Sequence, residues 1–107
     1  MEIKQYQIIF VNLDPTVGSK IKKSRPCVVI SPNKMNKYLR TIVIAPMTTS
    51  SKKYPTRVKL IHGNKSGWIV LDQIQTIDRQ RVIKVLGELQ VDEIKELNLV
   101  IKETYID

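Results

Sequence analysis

The chain has 107 residues, 42% apolar and 26% charged, with a formal net charge of +8. This length holds one domain with a modest core and no second one. No apolar run is long enough for a bilayer span and the N-terminus lacks a charged-then-apolar signal pattern, so the expected compartment is the cytoplasm.

Gln7–Leu13 is rich in β-branched and aromatic residues and ends at Asp14-Pro15, which predicts a first strand running into a turn. The loop that follows contains Gly18 and the cations Lys20, Lys22, Lys23 and Arg25. Pro26–Ser31 reads as a second strand, and its unbroken apolar run predicts burial on both faces. Cys27 lies in that run, where a buried, inert thiol is expected; it has no second cysteine to pair with. Ser31 and Pro32 predict a capped helical turn with Pro at its first position. A third strand is expected over Arg40–Met47, a polar loop over Thr48–Tyr54, and a fourth strand around Thr56–His62. After the turn-rich His62–Gly67 link, Trp68–Thr76 reads as a fifth strand with Trp68 in the core. Asp78–Arg81 predicts a single helical turn bearing a surface ion-pair cluster of Asp78, Arg79 and Arg81, before a short strand over Val82–Leu86. Val91, Ile94, Leu97, Val100, Ile101 and Tyr105 then recur at helical spacing. Asp92 and Glu93 stand early and Lys102 late, as the helix dipole prefers, so an amphipathic helix is expected over about Val91–Tyr105. The expected fold is mainly β with one C-terminal helix (α+β), a small barrel of curled antiparallel sheet.

Charge is segregated along the chain. Pro15 to Leu71 holds twelve cations and no carboxylate, whereas Glu88 to Asp107 holds six acids against two lysines. A solvated basic surface would account for the net charge but not for its segregation, which points to a phosphate backbone or an acidic peptide as partner. Neither a Cys/His cluster for zinc nor an acidic cluster for magnesium is present, so no metal or other cofactor is expected.

Leu13-Asp-Pro-Thr16, Gly18-Ser19 and Arg25-Pro26 before a Val/Ile run, then Ile44-Ala-Pro-Met-Thr-Thr49 and Val70-Leu-Asp-Gln-Ile-Gln-Thr-Ile-Asp78, stand in order across nearly the whole chain. This set resembles the MazF/PemK/Kid family of toxin endoribonucleases. The resemblance implies an SH3-like barrel of the CcdB/PemK/MazF type that pairs into a homodimer. It also implies cleavage of single-stranded mRNA to 2′,3′-cyclic phosphate and 5′-OH ends, and inhibition by a cognate antitoxin. A disordered acidic antitoxin tail laid over the basic loops would neutralise them and block the site. The chain departs from the family pattern at Lys20, where an acid is common, at Tyr6-Gln7, where Gly and an acid are common, and at Gln75, where Arg is common.

RNA carries its own nucleophile, the 2′-OH beside the scissile phosphate, so the protein must orient that attack and stabilise the anionic phosphorane. Arginine matches phosphate oxygens bidentately and stays charged. Hydroxyl or backbone donors fixed at a strand end add preorganised stabilisation. Arg25 and Thr48 suit these tasks, and the resemblance sets the family's catalytic Arg and Thr at the same two positions. Thr49 and Asp72 are candidate supports, although Asp72 equally suits the orienting of a loop or a dimer. His62 has no second histidine to share acid and base duties, which leaves the general base open. Lys20, Lys22, Lys23, Ser24, Lys52, Lys53, Arg57 and Gln73 are candidate RNA contacts. Tyr54 is either a stacking platform or an aromatic packed under its loop. Two rival readings are a CcdB-like inhibitor of a protein such as gyrase, using the C-terminal helix, and a degenerate barrel that binds RNA without cutting it.

Overall fold

The computed structural model describes residues 1–13, 24–62 and 65–106, without the side chains of His62 and Lys65. Seven strands form one antiparallel sheet: β1 (Gln7–Asn12), β2 (Ser24–Val29), β3 (Thr41–Thr48), β4 (Arg57–His62), β5 (Lys65–Val70), β6 (Gln75–Asp78) and β7 (Val82–Glu88). The strand order is β4-β5-β3-β2-β1-β7, with β6 also paired to β3. The short helix α1 (Asn33–Tyr38) links β2 to β3, and α2 (Val91–Tyr105) closes the described chain. The fold is therefore mainly antiparallel sheet with a C-terminal helix, as expected. The sheet is curled but not closed, with β4 and β7 at its two ends.

Both faces of the central strands are buried, as the apolar run in β2 predicts. On one face Val28, Ala45, Val58, Leu60 and Ile69 pack with Leu97 and Val100 of α2. On the other Ile9, Val11, Cys27, Val29, Ile42 and Ile44 pack with Ile3 and Ile77. Cys27 is fully buried, and burial pushes its thiol up to about 12. No helix among the described residues is long and apolar enough to cross a membrane.

Helix α2 occupies the expected span because Leu97 and Val100 recur on one buried stripe while Glu96, Leu99 and Lys102 stay exposed. The backbone N–H of Gln90 donates to Glu93 Oε1 at 2.7 Å, satisfying one orphan donor at the helix start. The far end is tied down by the Tyr105 hydroxyl, which donates to the Leu71 carbonyl.

Three local expectations are corrected. The stretch expected as a fifth strand, Trp68–Thr76, is broken: β5 ends at Val70, a 3-10 turn covers Leu71–Gln73, and β6 starts at Gln75. Ser31 does not cap α1, which Pro32 precedes without a side-chain cap. Its hydroxyl instead donates to Asn36 Oδ1 and accepts from the Val43 N–H at 3.0 Å. Asp78 and Arg79 do not pair: Asp78 accepts from the Gln80 N–H at 2.8 Å and Arg79 donates to the Asn36 carbonyl, while Arg81 donates to the Asn12 carbonyl at 3.2 Å.

Tyr6 explains one departure from the family pattern. Its φ of 71° lies in the left-handed region, where a Cβ costs on the order of 1–2 kcal/mol and glycine is the usual occupant. Its N–H bonds the Val29 carbonyl at 2.8 Å, its carbonyl accepts from Leu89 at 2.9 Å, and Asn98 Nδ2 of α2 donates to its hydroxyl at 3.1 Å. These ties to β2, the α2 lead-in and α2 itself offset the backbone cost.

Asn36 is the most informative core polar residue, at 1% exposure. It accepts from the Ser31 hydroxyl and donates through Nδ2 to the Ser31 carbonyl at 2.9 Å. Asn36→Ala leaves that carbonyl unpaired in a buried setting and is expected to lower stability by about 1–3 kcal/mol, read as a lower urea midpoint at unchanged m-value.

Candidate active site

The β2–β3 ladder pairs Val29 with Ile44, Val28 with Ala45 and Cys27 with Pro46. Arg25 on β2 and Thr48 on β3 each stand two residues beyond the Cys27–Pro46 pair, at the same open end of the two neighbouring strands. On its other edge Thr48 is the cross-strand partner of Trp68, which is in turn the partner of Lys59. Thr48, Trp68 and Lys59 thus form one row across three strands, and Arg25 stands at the adjoining end of β2. The guanidinium of Arg25 is exposed and makes no hydrogen bond or ion pair with the described residues. The Thr48 hydroxyl is held by Ser50, donating to its carbonyl at 3.2 Å and accepting from its N–H at 3.3 Å. Thr49 is exposed beside it.

A second group of side chains fixes the loop after β3. Arg57 Nε meets Asp72 Oδ1 at 3.2 Å and Nη2 lies 3.5 Å from Oδ2, while Nη1 donates to the Ser51 hydroxyl at 2.7 Å. The Thr56 hydroxyl donates to the same Asp72 oxygen at 2.9 Å. The Arg57 guanidinium also stands 4.7 Å from the Tyr54 ring centroid. Hydrogen bonding from Arg57 leads in holding the Asp72 carboxyl below its ordinary value, with Thr56 adding to it against partial burial. Asp72 accordingly organises the loop between β3 and β4. Arg57 is engaged within the protein, and its side chain is only 17% exposed.

Of the other expected RNA contacts, Lys52 and Lys53 are exposed on that loop, Gln73 is exposed at the end of the 3-10 turn, and Ser24 starts β2. Tyr54 is 44% exposed, so its ring is presented to solvent rather than packed beneath the loop. Lys20, Lys22 and Lys23 lie outside the described residues, as does the imidazole of His62. Among the described residues no three His, Cys, Asp or Glu side chains cluster in a way that could hold a metal ion.

Trp68 is not in the core. It is half-buried and lines a groove of about 580 Å³ with Lys53, Tyr54, Arg57, Lys59 and Glu96. The Lys59 ammonium lies 5.7 Å from its ring centroid. The outward direction of Lys59 was available in sequence, since it alternates with the buried Val58 and Leu60. That Trp68 would face it, one strand from Thr48, depends on the pairing register, which the sequence does not spell out. A second opening of about 220 Å³ is lined by Pro26, Met47, Thr48, Thr49 and Leu60.

Comparison with known proteins bears on the family and the fold. The profile of one family, described as PemK-like, MazF-like toxin of type II toxin–antitoxin system, matches residues 4–105. The chain is similar to a protein named Endoribonuclease MazF from Staphylococcus saprophyticus, with 30% identity over 102 residues spanning 90% of this chain and 85% of that one. It is 39% identical over 70 residues to the Endoribonuclease toxin MazF of Escherichia coli, across 65% of this chain and 63% of the relative. A crystal structure of MazE–MazF from Deinococcus radiodurans has a TM-score of 0.84 at 25% identity, covering 97% of this chain and 96% of that one. An endoribonuclease solved with its cognate antitoxin from a mycobacterial species has the same fold, with a TM-score of 0.81 at 20% identity over 94% and 92% of the two chains.

The Asp72 network has a pH signature. The folded state depresses this carboxyl, so its contribution to stability is present above the ordinary value of 3.8 and is lost as pH falls through the lower folded-state value. Because the pair is partly solvated, the contribution is on the order of 1 kcal/mol or less. Asp72→Asn is expected to be slightly less stable than the unaltered protein at neutral pH, with the two denaturation midpoints converging as pH falls below that range.

Proposed function

The chain belongs to the PemK-like, MazF-like toxins of type II toxin–antitoxin systems and is an endoribonuclease of that family; we propose that it cuts single-stranded mRNA at the strand ends that carry Arg25 and Thr48. The pairing of β2 with β3 carries this reading, because at the open ends of these adjacent strands it brings an exposed guanidinium, without a hydrogen-bond partner among the described residues, near a fixed hydroxyl. The 2′-oxygen attacks the neighbouring phosphorus, the P–O5′ bond breaks, and the proton lost from the 2′-hydroxyl is balanced by one gained at the 5′-oxygen. The products are a 2′,3′-cyclic phosphate and a 5′-hydroxyl. Arg25 binds the equatorial oxygens of the phosphorane and Thr48 orients the phosphate. The nucleophile belongs to the substrate, so the reaction needs no metal-activated water.

Lys52 and Lys53 hold flanking phosphates, and Lys20, Lys22 and Lys23 are further candidate phosphate contacts from the sequence alone. Ser24 and Gln73 flank this path, at the start of β2 and the end of the 3-10 turn Leu71–Gln73. Thr49 assists beside Thr48, and Asp72 acts by fixing the Arg57 side of the loop. The whole chain works as one domain in the cytoplasm. A cognate antitoxin uses a disordered acidic segment to cover the same cations.

A homodimer is the working unit, assembled along β7. This strand lies at the end of the sheet order and exposes Ile83 at 49% and Val85 at 40%. A strand edge with exposed apolar side chains is otherwise an aggregation hazard.

A long single-stranded RNA incubated with the protein in EDTA is expected to give discrete fragments with cyclic phosphate ends. Arg25→Ala is expected to lose about 10²–10³-fold in cleavage rate. Full cleavage by that variant would sink the catalytic assignment, and RNA that is bound but never cut would favour the degenerate binder. Replacing Lys52 and Lys53 together by Ala is expected to flatten the salt dependence of RNA binding by about 1.4 units of log–log slope. Ile83→Lys with Val85→Lys is expected to convert a dimer to monomer in sedimentation velocity; an unchanged dimer would move the interface elsewhere.

A further inference from the structure

Trp68 is the chain's only tryptophan, yet it sits in a groove rather than in either apolar cluster. Its indole N–H donates to none of the described residues. It is the cross-strand neighbour of Thr48 on β3, and β3 alone separates its strand from β2, two strand spacings or about 10 Å. Resting on the proposed cleavage at Arg25 and Thr48, we propose that Trp68 is a stacking platform for a nucleobase next to the scissile phosphate, with Lys59 holding that nucleotide's phosphate.

The chemistry of the groove selects this occupant. Two aromatic rings, Tyr54 and Trp68, are each accompanied by a cation, Arg57 at 4.7 Å and Lys59 at 5.7 Å from the ring centroids. Alternating π-faces and positive charge suit single-stranded nucleic acid, whose bases stack while its phosphates pair. The two cations differ in freedom. Arg57 is fixed by Asp72 and Ser51 and keeps the Tyr54 side of the groove rigid. Lys59 is exposed, with no ion pair among the described residues, so its ammonium can leave the indole for a phosphate when a base takes its place. An acidic peptide would match the lysines but would leave the rings without stacking partners. A base stacked on Trp68 tolerates any sequence, so the site contributes affinity and positioning rather than sequence choice.

Trp68 reports on its own occupancy, because no other residue contributes tryptophan fluorescence. The probe is a mixed-sequence single-stranded 2′-O-methyl RNA of about ten nucleotides, which lacks the attacking hydroxyl and stays uncut. It is expected to quench the fluorescence saturably, with a midpoint equal to the dissociation constant from anisotropy of a labelled copy. Trp68→Leu is expected to weaken binding and raise KM for cleavable RNA by about 5- to 100-fold, with kcat affected far less, and Trp68→Phe to restore most of the loss. A thermal melt shows whether either variant is folded, and the quenching on the unaltered protein stands without them.

RNA that binds by anisotropy and is cut, while the fluorescence and the Trp68→Phe and Trp68→Leu kinetics stay unchanged, would overturn the platform and leave the endoribonuclease assignment standing. Quenching by polyglutamate but not by the RNA would also overturn it, in favour of a protein occupant. Neither binding nor cutting of RNA would overturn both.

Discussion

The architecture depends on the way β3 is paired. One edge runs against β2, whereas the other is divided, with β6 on Thr41–Ile44 and β5 on Met47–Thr48. The divided edge is interrupted at Ala45 and Pro46, and Pro46 has no N–H to donate to a ladder. The chain crosses this gap through the 3-10 turn Leu71–Gln73, anchored by fully buried Leu71, whose N–H bonds the Thr56 carbonyl at 3.2 Å. Two strand directions therefore diverge from a single strand, and the sheet curls around its apolar clusters.

The site follows from that divergence. Asp72 stands in the crossing turn and reaches the start of β4, where it holds Arg57 and Thr56. Arg57 in turn braces Ser51 and Tyr54, so the loop after Thr48 is supported by a charge network and not by apolar packing. Such a loop can keep Lys52 and Lys53 in solvent while retaining a defined shape. The cost of depressing a partly exposed carboxylate is small, so the arrangement secures geometry more than stability.

Charge segregation has a structural counterpart. Four of the six acids between Glu88 and Asp107 lie on α2, which packs with Leu97 and Val100 inward. Arg25, Thr48 and the exposed lysines of the β3–β4 loop belong to the carboxylate-free stretch of the chain, and Glu96 is the acid of α2 that reaches the rim of the Trp68 groove. Long, exposed lysines in that region keep a favourable field for a polyanion without close ion pairs to displace.

Sequence alone determined the elements whose signals are local. The spacing of Val91, Ile94, Leu97, Val100 and Ile101 fixed α2, the Val/Ile run fixed β2 as buried, and Asp78–Arg81 announced a helical turn, because each pattern is decided by residues a few positions apart. The candidates Arg25 and Thr48 were legible through the ordered motifs that surround them. Tertiary structure decided what depends on strands distant in sequence. Only strand pairing brings the ends of β2 and β3, with Arg25 and Thr48, together and sets Thr48 beside Trp68, and only the divided edge of β3 breaks the apparent strand Trp68–Thr76 and brings Asp72 to Arg57. An apolar run shows that a segment is buried or paired, but a ladder one residue out of register presents the opposite face. For that reason Trp68 read as core in the sequence and lies in the groove in the fold.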